Sequence, residues 1–315
     1  MSKALHRAAD HIDETLFTFA RYDEEAAERT GYSDYSYWRS TWRVFLKNRM
    51  AVALLILLGT LLAFTFIQPY LPNQKPPTMI HFHPDTGPPG DEFIFGPNAI
   101  GQDLWSRLWS GTRTSLFIGF VVGVAEALIG ITIGSLWGYV RWLERPFTEL
   151  YNVLDNIPNT VIMVLMTYVL KPSVSTLIIA MCITGWLPMA RLIRNLVMII
   201  RDREYNLASR ALGTPTHRII TKNILPYLIS VIMMRIALSI PIAIGSEVFL
   251  TYIGLGLPLD TPSLGNLVNE GRRLMMAPSM RYQLIFPAVM VSIITVSFYV
   301  LGNAFADASD PRNHV

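Results

Sequence analysis

Six stretches of about twenty mostly apolar residues each constrain this chain more than any motif in it, because only membrane-spanning segments need that length. They run approximately Phe45–Ile67, Ser115–Val140, Leu150–Leu170, Ser173–Ile193, Pro226–Leu250 and Leu284–Phe305. Hydrocarbon offers no partner for a backbone N–H or C=O, so each segment must bond within itself, which makes it a helix. The expected fold is an all-α integral membrane protein with six transmembrane helices. Composition agrees, with 51% hydrophobic and only 16% charged residues in 315 and a mean hydropathy of +0.36. The third segment is the weakest, since Asp155 and Pro158 stand near its start. The chain divides into a polar segment, 1–44, with an interfacial helix; the first transmembrane helix, 45–67; a proline- and glycine-rich loop, 68–114; a five-helix core, 115–306, holding a polar loop, 194–225; and a tail, 307–315.

Charge orients these segments. Arg191, Arg194, Arg201, Arg203, Arg210, Arg218 and Lys222 crowd the loop after the fourth segment, and further basic residues precede the first. Lys75, Arg107, Arg113, Lys171, Arg272, Arg273 and Arg281 are spread over the opposite side. The excess places both termini and the 194–225 loop in the cytoplasm. The polar amino terminus has no apolar core before a small-residue cleavage site, so no cleavable signal peptide is expected. Tyr35, Tyr37, Trp38, Trp42 and Phe45 are mixed with Arg39, Arg43, Lys47 and Arg49, which suits a helix lying at the membrane interface or a plain anchor for the first span.

Packing signals are clearest in the second segment. Gly119, Gly123 and Ala127 are spaced four apart, as are Gly130, Gly134 and Gly138, and small residues at that spacing let another helix approach closely. Ionisable residues in lipid are costly and therefore candidates for function. Glu126, Asp155, Arg235 and Glu247 are such residues; for Glu126 and Arg235, a structural ion pair and a role in a translocation path are both open.

The soluble chemistries are absent. No GxxxxGK[ST] is present, so the chain has no phosphate-cradling loop of its own, and HExxH, GxSxG and CxxC are missing as well. No catalytic residue and no metal site is expected. His81-Phe82-His83 with Asp85 reads as a solvated loop, and the single cysteine, Cys182, as a small buried hydrophobe.

The polar stretch Glu204–Pro226, EYNLASRALGTPTHRIITKNILP, looks like a docking surface. A helical run from Glu204 to Leu212 stops at Gly213 with Pro215 beyond, and a second run, about Thr216 to Leu225, leads back to lipid. Two short helices at a membrane surface, with nothing of their own to pack on, imply a partner.

This stretch resembles the conserved cytoplasmic loop of ATP-binding-cassette importer permeases, EAA, three residues, G, nine residues, then I-x-L-P. The matching positions are Leu207-Ala208-Ser209, Gly213 and Asn223-Ile224-Leu225-Pro226; Leu207 replaces the glutamate and Asn223 the isoleucine. Phe95–Leu116 is similar to the FGTDxxGRDxxSRLxxGxRxSL of the oligopeptide branch, with Pro97 and Gln102 as departures. Asp155 with Ile157-Pro158, FLTYIGLGLP at Phe249–Pro258, PSLG at Pro262–Gly265 and ADASDPR at Ala306–Arg312 also fit. The resemblance is to the C-type permease subunit of oligopeptide importers, most of all the Gram-positive Ami/Opp versions.

It implies the type I importer permease fold, in the plasma membrane of a bacterium, with a cytoplasmic coupling helix. Arg203, Glu204, Tyr205, Leu207, Ala208, Ser209, Ala211, Leu212, Gly213, Thr214 and Pro215 would meet an ATPase there. With Leu207 in place of the glutamate, that docking relies on the shape of a small apolar face. The implied partners are a homologous B-type permease, two cytoplasmic ATPases that hold ATP and Mg, and an extracytoplasmic peptide-binding protein; the chain itself holds no cofactor. Gly101, Asp103, Arg107, Arg113, Gly254, Gly256, Pro258 and Arg272 are candidates for the outer gate or for contact with the binding protein. Dipeptides, nickel complexes or another small solute are alternative cargoes, and an ATP-independent channel or carrier is the alternative class.

Overall fold

A computed structural model describes residues 37–81, 89–90 and 93–309. Tyr35, Phe82, His83, Asp85 and the end of the ADASDPR tail lie outside the described residues. The described residues form helices α1 (Tyr37–Lys47), α2 (Arg49–Ile67), α3 (Leu104–Tyr139), α4 (Arg141–Asp155), α5 (Asn159–Leu170) and α6 (Val174–Gly185). Then follow α7 (Leu187–Arg201), α8 (Glu204–Ala211), α9 (Leu225–Tyr252), α10 (Leu264–Arg273) and α11 (Tyr282–Ser309). Among them there is no β-strand, only an isolated bridge between Pro97 and Asp103.

Five continuous helical runs are long and apolar enough to cross a membrane: Arg49–Tyr70, Leu104–Tyr139, Val174–Arg201, Thr216–Tyr252 and Tyr282–Ser309. The expected third span, Leu150–Leu170, is not one helix. It is the pair α4 and α5, bent by 72° at residues 156–158, which makes a sixth crossing only if both arms count as one. Pro158 explains the break, because its ring clashes with the preceding turn and it has no N–H to give.

Other boundaries move for equally local reasons. Asn48 divides the first segment by capping α2, its Oδ1 accepting from Ala51 N at 3.1 Å. The second span starts eleven residues earlier than Ser115, at Leu104, and takes the end of the 68–114 loop into its first turns. The polar loop shrinks from 194–225 to 202–215, because α7 runs on to Arg201 and helical structure resumes at Thr216. Residues Ile219–Ile224 form a wider π-type turn that runs straight into α9.

Close approach of backbones decides the packing. A Cβ on Gly123 would lie 2.5 Å from Ser239 Oγ, and one on Gly119 3.2 Å from the Ile240 carbonyl, so the first ladder seats α9. The second ladder seats α7: a Cβ on Gly138 would lie 2.7 Å from the Arg194 carbonyl, and one on Gly134 would collide with that of Ala190. One helix thus carries two grooves for two neighbours. This matters because lipid is as apolar as leucine, and helices in it are held by contact rather than by escape from water. Around α3 lie the buried clusters: Leu108, Leu116, Ile244, Leu267 and Ile294; Ile118, Val122, Leu177 and Leu250; and Ile193, Val197, Ile219, Ile224 and Leu228.

Candidate functional site: a rigid exposed helix, a closed loop and a polar cavity

At the start of α9 sits α8, the expected docking helix, and its end is built from backbone bonds. Gly213, at φ +76°, donates from its N–H to Arg210 O at 3.0 Å, and Thr214 N donates to Ser209 O at 3.0 Å. This paired closure requires a left-handed residue after the helix, which glycine adopts without strain.

The helix is held from beneath by polar side chains. Asn206 is completely buried, and its Nδ2 donates to Ile200 O at 3.0 Å. Arg210 donates to Arg201 O at 2.9 Å, lies 3.7 Å from Asp202, and stacks 5.3 Å over the ring of Tyr139. Asn223 Nδ2 donates to Ser209 Oγ at 3.1 Å, and Tyr205 stacks on Tyr227 at 5.9 Å. Partial burial, and then Tyr227, push the Tyr205 phenol above its usual range, so it stays neutral. The opposite face is bare: Leu207 is 46% and Leu212 85% exposed, with Ala208 and Ala211 open beside them. The expectation that both short runs lack packing of their own is corrected here. Ile219, Ile220 and Ile224 are buried, the first and last packing on Ile193 and Val197.

At the other end of α9, four of the eight candidates for the gate or binding-protein contact, Gly101, Asp103, Arg107 and Gly256, are buried within the chain, and Arg113 and Arg272 are half-buried. Asp103 caps α3, accepting from Ser106 N at 3.2 Å and Ser106 Oγ at 2.7 Å. Arg107 is 1% exposed and donates to Glu270 Oε1 at 2.7 Å and to Gln102 Oε1. Gly101, buried at φ +80°, accepts from His81 N at 3.0 Å through its carbonyl. Arg113 donates twice to Thr65 O, at 3.1 and 2.7 Å, pinning α2 to α3. Arg272 lies 3.9 Å over the ring of Tyr252, while Gly256 presses on Thr251. Gly254, at φ +84°, and Pro258 remain exposed.

Glu247 belongs to the same closure. It is fully buried, Ser115 Oγ donates to its Oε2 at 2.8 Å, and Ser115 Oγ also accepts from Leu264 N at 3.0 Å. One carboxylate and one hydroxyl therefore join α3, α9 and the start of α10.

Glu126, Asp155 and Arg235, the remaining intramembrane candidates, converge on one cavity of about 290 Å³ between α3, α5, α6 and α9. Asn159 and Thr184, hydrogen-bonded to each other, and Ser239 add polar groups to its wall. Asp155 lies 3.7 Å from Arg191, whereas among the described residues Glu126 and Arg235 form no ion pair within 4 Å.

Residues 130–315 match the family described as binding-protein-dependent transport system inner membrane component, and residues 36–88 the N-terminal TM domain of oligopeptide transport permease C. The chain belongs to this permease family. It is 36% identical over 306 residues to the oligopeptide transport system permease protein AmiD of Streptococcus pneumoniae, covering 96% of this chain and 99% of that one. It is 32% identical to the oligopeptide permease protein OppC of Bacillus subtilis, covering 96% and 98%, and 31% identical to the dipeptide permease protein DppC of the same organism, covering 96% and 94%. In fold it is similar to the solved MetNI methionine ABC transporter, at 20% identity and a TM-score of 0.51, covering 63% of this chain and 96% of that one. The permease is thus a subunit of an ABC importer, in which ATP hydrolysis belongs to other subunits.

Three residues that fasten this permease's surfaces escaped sequence reasoning. Asn206 lies one residue before the signature and points inward. Asn223 and Gln102 stand where the sequence departs from the family pattern, yet each makes a specific bond, to Ser209 and from Arg107. Only the departure itself marked them.

Proposed function

We propose that this permease carries oligopeptides into a bacterial cell as the C-type subunit of an ATP-driven importer, with α8 as its coupling helix. The observation that carries the reading is the contrast on α8. Its inner face is bolted to α7 by Asn206 and Arg210 and to the turn that runs into α9 by Asn223, while Leu207, Ala208, Ala211 and Leu212 are left bare. A helix rigidly joined to two membrane helices transmits a push, and a bare face of small apolar side chains admits a groove on another protein. The partners are a homologous B-type permease, two cytoplasmic ATPases that bind ATP and Mg, and an extracytoplasmic peptide-binding protein. Both termini and α8 face the cytoplasm, in keeping with the basic residues around Arg191–Lys222. Coupling then consists of two states of the helical bundle that ATP and cargo favour unequally.

The oligopeptide cargo rests on likeness to the AmiD and OppC proteins, and the 31% identity to DppC gives dipeptides as the second reading. Purification of the tagged permease from native membranes, followed by identification of associated chains and bound solutes, tests both. A second permease, ATPases and peptides are expected; a chain that works alone without ATP, or carries no peptide, overturns the reading. Ala208→Trp adds bulk on the exposed face of α8, so it leaves the fold intact while abolishing ATP-driven uptake. Wild-type uptake by that variant contradicts the docking role.

A further inference from the structure

We propose that the cavity between α3, α5, α6 and α9 receives one charged end of the transported peptide at a time, the α-ammonium at Glu126 or the carboxylate at Arg235. The inference rests on the peptide-importer reading and adds the part of the cargo that this chain recognises.

Both residues stand in membrane-spanning helices, where an unsatisfied charge is expensive. Among the described residues neither makes a hydrogen bond or an ion pair, although they line the same cavity. A merely structural pair would have closed into contact, as Arg107 and Glu270 do at 2.7 Å in the same protein. Space has been kept for the carboxylate as well. A Cβ on Gly185 would collide with Glu126 Oε1, so glycine there leaves room that any other residue would fill.

The cavity has the right chemistry and size for a chain end. Asn159, Thr184 and Ser239 offer neutral polar groups to a peptide bond, and Val122, Met163 and Ala243 offer an apolar wall. Its volume of about 290 Å³ is at the low end for a small-ligand site, enough for a terminal residue and its neighbour but not for a whole oligopeptide. Side-chain identity is left unread, as a carrier of many sequences requires, while the two charges common to all peptides are read. The bend at residues 156–158 borders the cavity through Ile157 and Pro158, so a change in that angle alters access to it.

The test uses the complete importer in proteoliposomes with its binding protein, and trialanine in four forms: free, N-acetylated, C-amidated and doubly blocked. Because the binding protein is the same throughout, each variant is read as a ratio to wild type. Glu126→Gln is expected to slow free trialanine by about tenfold, the scale of one charge-assisted contact, while import of the N-acetylated form stays near wild type. Arg235→Gln is expected to do the same with respect to C-amidation. Wild-type discrimination in both variants overturns the proposal and leaves the importer reading standing; a wild-type complex that imports no peptide overturns both.

Should either variant fail to assemble, the wild-type complex supplies the second measurement. Carbodiimide labelling of Glu126, followed by mass spectrometry, is expected to be slowed by free trialanine and not by its N-acetylated form. Equal protection by the two peptides, or protection by neither, overturns the proposal.

Discussion

Gly213 shows how much one residue decides in this permease. Its φ of +76° closes the end of α8, yet nothing lies within 4 Å of where a side chain would begin. Gly213→Ala therefore costs only the left-handed backbone, about 1–2 kcal/mol, and is expected to leave measurable peptide uptake. Gly213→Pro fixes φ near the opposite sign and also removes the N–H that bonds Arg210 O. Uptake and peptide-stimulated ATP hydrolysis by the assembled complex are expected to be lost, and wild-type rates in the proline variant would show that the turn does not matter. The glycine and the following Pro215 were legible as a helix stop from sequence. Asn206 was not, because one polar residue on a short polar helix gives no sign of facing inward. The same limit applies to Arg107: in sequence it is a charge in an outer loop, and only Glu270, far along the chain, turns it into an interior group. Removing one member of such a pair costs several kcal/mol, which is why neither stands free.

Among elements, α3 is the organising one. Its two glycine ladders predicted close packing, but the ladders alone did not say that one serves α9 and the other α7. Gly134→Leu is expected to abolish accumulation of the permease in the membrane, since the new side chain meets the Ala190 backbone and Ile193. Gly59→Leu, on α2 where nothing lies within 4 Å, is expected to accumulate as wild type. Immunoblotting of membrane fractions checks both, and equal accumulation would remove the packing role of the second ladder. The sequence also placed the weak point in the third segment correctly at Asp155 and Pro158, while treating the segment as one span. Hydropathy is averaged along a window and is blind to direction, so it cannot separate a straight helix from two arms at 72°.

For the whole molecule, the large apolar side chains left exposed, among them Ile56, Phe66, Phe120, Val289 and Val296, are those of a subunit surrounded by lipid and other chains. Orientation is open to direct measurement. In a Cys182→Ala background, Ala211→Cys is expected to resist a membrane-impermeant maleimide in intact cells and to react after lysis and removal of the bound ATPases, whereas Ser279→Cys reacts in both. Both positions are exposed, so access depends on the side of the membrane they occupy. The reverse pattern would turn the permease over and detach α8 from any cytoplasmic ATPase.

By itself, the sequence determined the class of fold, the approximate spans, the short polar helix with its glycine stop, and the family. Each is written in local order, as a run of apolar residues, a helical spacing or a motif. Tertiary structure decided which polar residues are anchors and which face open space. Arg107, Asp103 and Glu247 went to buried networks, whereas Glu126, Asp155 and Arg235 went to one cavity. That division depends on helices distant in sequence meeting across α3. In lipid, such meetings are fixed by the contact geometry of small residues and buried hydrogen bonds rather than by hydrophobicity, which nearly every residue in the spans shares.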